Sequence, residues 1–426
     1  MPVLRAQRMV HAALLLLLGL AALTRWSRQL WRLAFGDIPS AAYDLHLRWV
    51  EVTDWFSGIP VYSIYKDAVY PPATYLLLWP AFGWMSFESA RLWWPCVCVA
   101  SVSLITVLLL RPDTLGKHWA RGLVVLFPWA HYASAVSVGV GQLTLPSLAA
   151  SLTGLVLLVE RRPTWGRDLA VALCFAFSLI KPSLTVPLLL GGFLLSAKSM
   201  RALILTAGFY GTASFLAVLP QRAGILEILS DWISRSSALA PQDGYLHIGE
   251  WLAAVGWEAA ITPASLLLLT AFACWGARMG RTIDPWVLLG VAGIIARLWT
   301  YHRFYDDLLI LLPLVALVRL DTDTAPLGQR LLTRVLGLGI LLSGLMRTTW
   351  HQGGEPAATL FDGWQLVVRL AVLAFLILHS EGVLRRHEVN SVFDASESSD
   401  HGTIRAYGEA RARCGWRPRR RTATRR

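Results

Sequence analysis

Charge is what this chain has least of: 15% of its 426 residues are charged against 55% hydrophobic, and mean hydropathy is +0.51. Soluble domains carry roughly 25% charged residues, so a single water-soluble core is excluded and the chain reads as a polytopic membrane protein. Cysteine is scarce as well. Cys96, Cys98, Cys174 and Cys274 lie inside apolar runs and Cys414 near the end of the chain, with no C-x-x-C spacing, which argues against a disulfide framework and a zinc site. The opening stretch, MPVLRAQRMVHAALLLLLGLAALTRW, has the basic front and apolar middle of a signal peptide but lacks a small-residue cleavage site. Trp26, Arg28 and Trp31 follow instead, so it is expected to be a retained anchor and the first helix. No internal repeat is visible, which weighs against an alternating-access transporter or flippase.

What the chain has in abundance is apolar runs. They fall near 9–24, 92–110, 122–138, 143–159, 168–180, 183–197, 202–219, 259–276, 285–300, 304–318, 331–346 and 364–380, predicting about twelve spans. The net charge of +12 sits mostly in short connectors and in a C-terminal tail, a distribution that fits membrane orientation and anionic lipid and gives no support for nucleic acid as a partner. A further apolar run, YPPATYLLLWP, opens on Pro71 and Pro72 and is interrupted by Pro80. Counting it as a span would move the connector containing Arg111 and Arg121, and every later basic connector, to the outside. Left out, it becomes a re-entrant or interfacial segment of a first external loop, 25–91, and both termini are cytoplasmic. In that loop Arg25, Arg28 and Arg32 share a helical face, as in an amphipathic helix at the outer surface, either snorkelling or holding an anionic lipid.

With that topology the unusual polar residues gather on the outer side. The first loop carries Asp37, Asp44, Glu51, Asp54 and Asp67 among aromatics. An isolated loop acid is normally just solvated. Gln142 stands at the mouth of a helix in GVGQLTLP, and Lys181 lies between two apolar runs in SLIKPSLTVP, where it must occupy an edge or line a cavity. The densest cluster is YHRFYDD, with His302, Arg303, Tyr305, Asp306 and Asp307; a spacing of four lets His302 meet Asp306. The Asp321-Thr322-Asp323 triplet mimics a metal-holding D-x-D pair but falls in a cytoplasmic connector and reads as solvated charge.

Taken in order, these pieces resemble the polyprenyl-phosphate-mannose-dependent alpha-1,2-mannosyltransferase family of the GT-C superfamily of integral membrane glycosyltransferases. The resemblance rests on Asp44 after the first helix, Gly58 and Tyr62 as G-x-x-x-Y, Tyr70-Pro71-Pro72, Gly141-Gln142, Lys181-Pro182 and the aromatic, His and Asp cluster before the tenth run. It implies an all-α bundle of about 12 transmembrane helices with juxtamembrane helices in the first loop, forming a domain over 1–384 and followed by a basic tail, 385–426. It also implies a multi-pass cell-membrane enzyme with its active face outside, a polyprenyl-phosphate sugar donor and a glycolipid or glycan acceptor; no cofactor and no metal-ligating residue is expected. Carried over, Asp44 is the general base. Lys181 is the first candidate for the leaving phosphate, with Arg303 and the Arg25, Arg28 and Arg32 face behind it. Tyr62, Tyr70 and Trp49 stack on sugar, Gln142 binds a hydroxyl, and His302 with Asp306 orients substrate. YHRFYDD departs from the more usual serine- and histidine-rich form, which leaves arabinofuranosyl open beside mannosyl as the group transferred.

Overall fold

The computed structural model describes residues 2–37, 41–115, 120–159, 164–195, 200–238, 247–352 and 355–383, and every regular element among them is helical. The chain divides into a compact unit, Met1–Leu376, and a second unit, Ile377–Arg426, whose described residues, 377–383, are helical. The basic tail expected from 385 lies outside the described residues.

Over its described residues, each of the apolar runs is mainly helical. Among the described residues seven helices are long and apolar enough to cross a membrane: Met9–Phe35, Phe87–Leu110, Arg121–Val140, Met200–Val218, Glu258–Met279, Leu327–Met346 and Glu355–Val383. The chain is therefore a polytopic membrane protein. The other runs give shorter helices of 10 to 16 residues, Thr144–Val159, Trp165–Ser178, Pro182–Leu195, Pro285–Leu298 and Leu311–Leu320. At ~1.5 Å per residue the 14-residue members rise about 21 Å, short of the ~30 Å of a hydrocarbon core. Local signals start these helices. Thr164 accepts from Arg167 N at 3.2 Å, and Asp284 accepts from Trp286 N at 2.8 Å with Pro285 in the first turn, where a missing N–H costs nothing.

The helices differ in how much of their surface they bury. The long helices expose Leu16, Leu17, Val107, Ile204, Leu267 and Val335, as lipid-facing surfaces do. Most of Thr144–Val159 and Leu311–Leu320, and every residue from Trp286 to Leu298, are buried. The turns joining the short inner helices, 141–143, 179–181 and 299–310, thus bring their polar residues together inside the bundle.

One expectation for the first loop changes and another gains detail. Trp26 to Phe35 is no separate surface helix: a single helix runs Pro2–Phe35. Arg25 turns into the bundle and donates to the carbonyls of Ala130 and Leu345, Arg28 is exposed, and Arg32 donates to Gln29 Oε1 at 2.9 Å. The physical reason is the break at His131, which leaves the Ala130 carbonyl at a helix end where a guanidinium can cap it. YPPATYLLLWP becomes a seven-residue helix, Pro72–Leu78, followed by a single π turn, Trp79–Gly83. Pro71 caps it in extended conformation and Pro72 occupies its first turn; Pro72 to Tyr75 are buried, and the helix packs against Met200–Val218. It is too short to span.

Candidate functional site

Asp44 lies in the first turn of the Tyr43–Phe56 helix, not in a flexible loop. The chain enters that helix through Ala42, whose backbone is left-handed at φ 52° and whose N–H donates to Gly139 O at 2.9 Å. Opposite, Gly141 ends the Tyr132–Val140 helix at φ +77°, and a Cβ there would lie 2.4 Å from the Leu45 Cβ. Only glycine permits both that conformation and that approach. The contact delivers the next residue, Gln142, to Asp44: its Nε2 donates to Asp44 Oδ2 at 3.2 Å, while its Oε1 accepts from Tyr70 OH at 3.0 Å and from Leu143 N at 2.8 Å. Burial pushes the Asp44 carboxyl above its ordinary value, against the pull of Arg48, Arg303 and Lys181.

The second half of the site forms around Asp306. Lys181 Nζ sits 2.5 Å from its Oδ1 and 3.0 Å from Thr144 Oγ1, and Thr144 donates to the same carboxylate oxygen at 2.6 Å. His302 Nδ1 lies 3.0 Å from Asp306 Oδ2, and its Nε2 3.1 Å from the Ser183 carbonyl. Both Asp306 carboxylate oxygens thus have partners, Oδ1 in Lys181 and Thr144 and Oδ2 in His302, as a buried carboxylate requires. Lys181 also lies 4.6 Å from the Tyr305 ring centroid.

Two cavities share one wall. The smaller, about 50 Å³, is lined by Asp44, Arg48, Asp67 and Gln142; the larger, about 400 Å³, by Lys181, His302, Asp306, Trp232 and Trp299. Tyr70, Tyr301, Arg303 and Tyr305 line both, and Arg303 Nε donates to Tyr301 OH at 2.5 Å. One polar region thus unites a half-buried carboxylate, an ion pair with a histidine, a guanidinium and several aromatic faces. That set can take up a proton, bind sugar hydroxyls and stack on a sugar ring.

Of the residues given roles from the sequence, Asp44, Tyr70, Gln142, Lys181, His302, Arg303 and Asp306 meet here. Tyr62 does not. It is 4% exposed, its ring packs on Trp55 and Tyr75, and its hydroxyl donates to the Tyr70 carbonyl at 2.6 Å, so it braces the backbone ahead of Pro71 and lines neither cavity. Trp49 is likewise engaged elsewhere, donating to Met85 O at 2.9 Å, and the Arg25, Arg28 and Arg32 group lines neither cavity.

Residues that sequence reasoning passed over include Thr144, Arg48, Arg297 and Arg369. Arg297 and Arg369 stand inside apolar runs, a signal in itself, since a charge there demands a partner. The partner is Asp307, which receives Arg297 Nε at 2.7 Å, Arg369 NH2 at 2.6 Å and the Tyr132 hydroxyl. Asp321 is not merely solvated: it is 6% exposed and accepts from Arg334 at 2.9 Å. Among the described residues no group of three or more His, Cys, Asp or Glu is arranged to hold a metal ion. Comparison with protein-family models, with curated proteins and with solved structures gives no match to this chain.

Proposed function

We propose that this protein is an inverting membrane glycosyltransferase that moves a mannosyl or related residue from a polyprenyl-phosphate donor to a hydroxyl of a glycolipid or glycan on the outer face of the cell membrane. The observation that carries this reading is the placement of Asp44: a half-buried carboxylate, oriented by Gln142 and Tyr70, beside an aromatic cavity of about 400 Å³ that holds a buried ion pair. The resemblance set out from the sequence supports it, because Asp44, Tyr70, Gln142, Lys181 and His302 are among its motifs.

In this reading the acceptor hydroxyl gives its proton to Asp44 as its oxygen attacks the anomeric carbon. The bond from that carbon to the phosphate oxygen breaks with its electron pair, and the lipid phosphate leaves, so a β-linked donor yields an α-linked product. A carboxyl raised by burial is a stronger base than a solvated one, which suits it to the task. The leaving phosphate needs fixed positive charge. Lys181 has two of its three N–H groups committed to Asp306 and Thr144, so it contributes the third, and Arg303 stands with it in the same wall.

The test is transfer of label from polyprenyl-phosphate mannose to glycolipid acceptors in membranes containing the protein. Asp44→Asn, with unchanged expression, is expected to lose ~10² to 10⁴ in rate, the usual contribution of a general base. Full transfer by that variant would refute the assignment. Turnover with an arabinose donor and not a mannose donor would change the sugar and leave the chemistry standing.

A further inference from the structure

Arg48 follows Asp44 by one helical turn on the Tyr43–Phe56 helix, so both side chains leave the same face. Its side chain is 5% exposed, yet it is not fully satisfied. NH2 lies 2.6 Å from Glu51 Oε1 and donates to Asp67 O at 3.1 Å, and the guanidinium carbon sits 4.5 Å from the Tyr70 ring centroid. NH1 has no hydrogen-bond partner. A guanidinium offers five donors in a rigid fork that matches phosphate or carboxylate oxygens, and a buried donor left unmade is costly. The same side chain lines the small cavity with Asp44, Gln142 and Arg303.

The charge balance sharpens the point. In the larger cavity Lys181 is already matched by Asp306. Behind Arg48, outside both cavities, lies Glu51, which burial pushes up to about 8, so near neutral pH it offsets Arg48 only in part. Glu51 is faced by Arg48 and Asp44 from its own helix, by Asp67 from the following loop, and by Tyr62 and Tyr75 from the next two helices.

We propose that Arg48 is a further substrate-binding residue, whose unpartnered N–H receives an oxyanion carried by the substrate beside the atoms that meet Asp44. This rests on Asp44 marking the reacting end of the site. The oxyanion has two sources, the phosphate of the lipid donor or an anionic group on the acceptor, and binding measurements distinguish them.

The purified full chain in detergent is titrated with farnesyl phosphate against farnesol, and with mannose 6-phosphate against mannose, following tryptophan fluorescence. One phosphate ligand is expected to bind more tightly than its neutral counterpart, and that preference to fall at least tenfold in Arg48→Gln. The double variant Arg48→Gln/Glu51→Gln, which leaves no orphaned carboxylate, is expected to show the same loss, while Glu51→Gln alone retains the preference. Dependence on Arg48 in the farnesyl pair assigns the donor phosphate; in the mannose pair it assigns a charged acceptor. Absence of any phosphate preference in the unaltered chain, or its full retention in the double variant, overturns the proposal. Because these titrations need no turnover, they stand or fall separately from sugar transfer by Asp44.

Discussion

At the level of single residues, the site depends on two backbone conformations that face each other. Gly141 takes φ +77° with no room for a Cβ against Leu45, and a left-handed conformation costs an L-residue ~1 to 2 kcal/mol before any clash. Gly141→Ala is therefore expected to push the Tyr43–Phe56 helix away, separate Asp44 from Gln142, lower the thermal midpoint and abolish transfer. An unchanged midpoint with normal transfer would show that the helix has slack its packing does not reveal. Ala42 is the converse case. It bears the left-handed penalty at φ 52°, and Ala42→Gly should recover up to ~1 kcal/mol in unfolding experiments, provided the added chain entropy of glycine does not cancel it. Glu51 ties stability to pH. Its carboxyl is pushed up to about 8 from 4.5 by burial, so between those values the folded chain keeps a proton that the unfolded chain has released. Stability then falls as pH rises from about 4.5 to about 8 and levels off above it, with the sign set by greater proton binding in the folded state. Glu51→Gln should flatten that part of the profile; an equally steep decline in the variant would assign the slope to another group.

At the level of elements, the 3-10 turn Phe304–Ile310 presents two neighbouring carboxylates in different directions. Asp306 faces Lys181 and His302, while Asp307 anchors the turn to Tyr132–Val140, Pro285–Leu298 and the helix bearing Arg369. Removing one member of a buried charged set strands the others, at a typical cost of ~3 to 5 kcal/mol. Asp307→Asn is thus expected to destabilise the protein by that order in detergent unfolding, and a loss below about 1 kcal/mol would contradict the geometry. The sequence spacing anticipated that His302 meets Asp306, but not by sharing a helical face: His302 precedes the 3-10 turn, and the two meet across an extended Arg303. The division of labour between Asp306 and Asp307 was not legible in sequence, because adjacent residues carry no record of which long-range partner each meets. Tyr62 illustrates the same limit: G-x-x-x-Y spacing specifies position along the chain, whereas the direction of the ring depends on Trp55 and Tyr75. Arg48 escaped notice because an Arg and a Glu three apart look like an ordinary surface pair until burial is known.

At the level of the whole molecule, apolar runs reveal where helices lie and say less about which helices face lipid. The short helices read as well as the long ones in hydropathy, yet Thr144–Val159, Pro285–Leu298 and Leu311–Leu320 are mostly buried, and burial is a property of the neighbours they find. Their placement inside is what brings Gln142, Lys181 and Asp306 from three separate connections into one region. Membrane sidedness is the remaining piece of architecture, and the charge bias that kept YPPATYLLLWP from being counted as a span makes a prediction for it. If the basic connectors are cytoplasmic, the Asp44 helix is external and the Leu320 to Leu327 turn is internal. Ser57, exposed at the end of the Asp44 helix, and Asp323, fully exposed in that turn, are suitable reporters. In a background with all five cysteines replaced, Ser57→Cys is expected to react with a membrane-impermeant maleimide on intact cells, and Asp323→Cys only after permeabilisation. Labelling of both positions from outside would remove the charge argument for topology. Labelling of Asp323→Cys alone would turn the molecule over, placing Asp44 where a lipid-linked sugar in the outer leaflet never arrives.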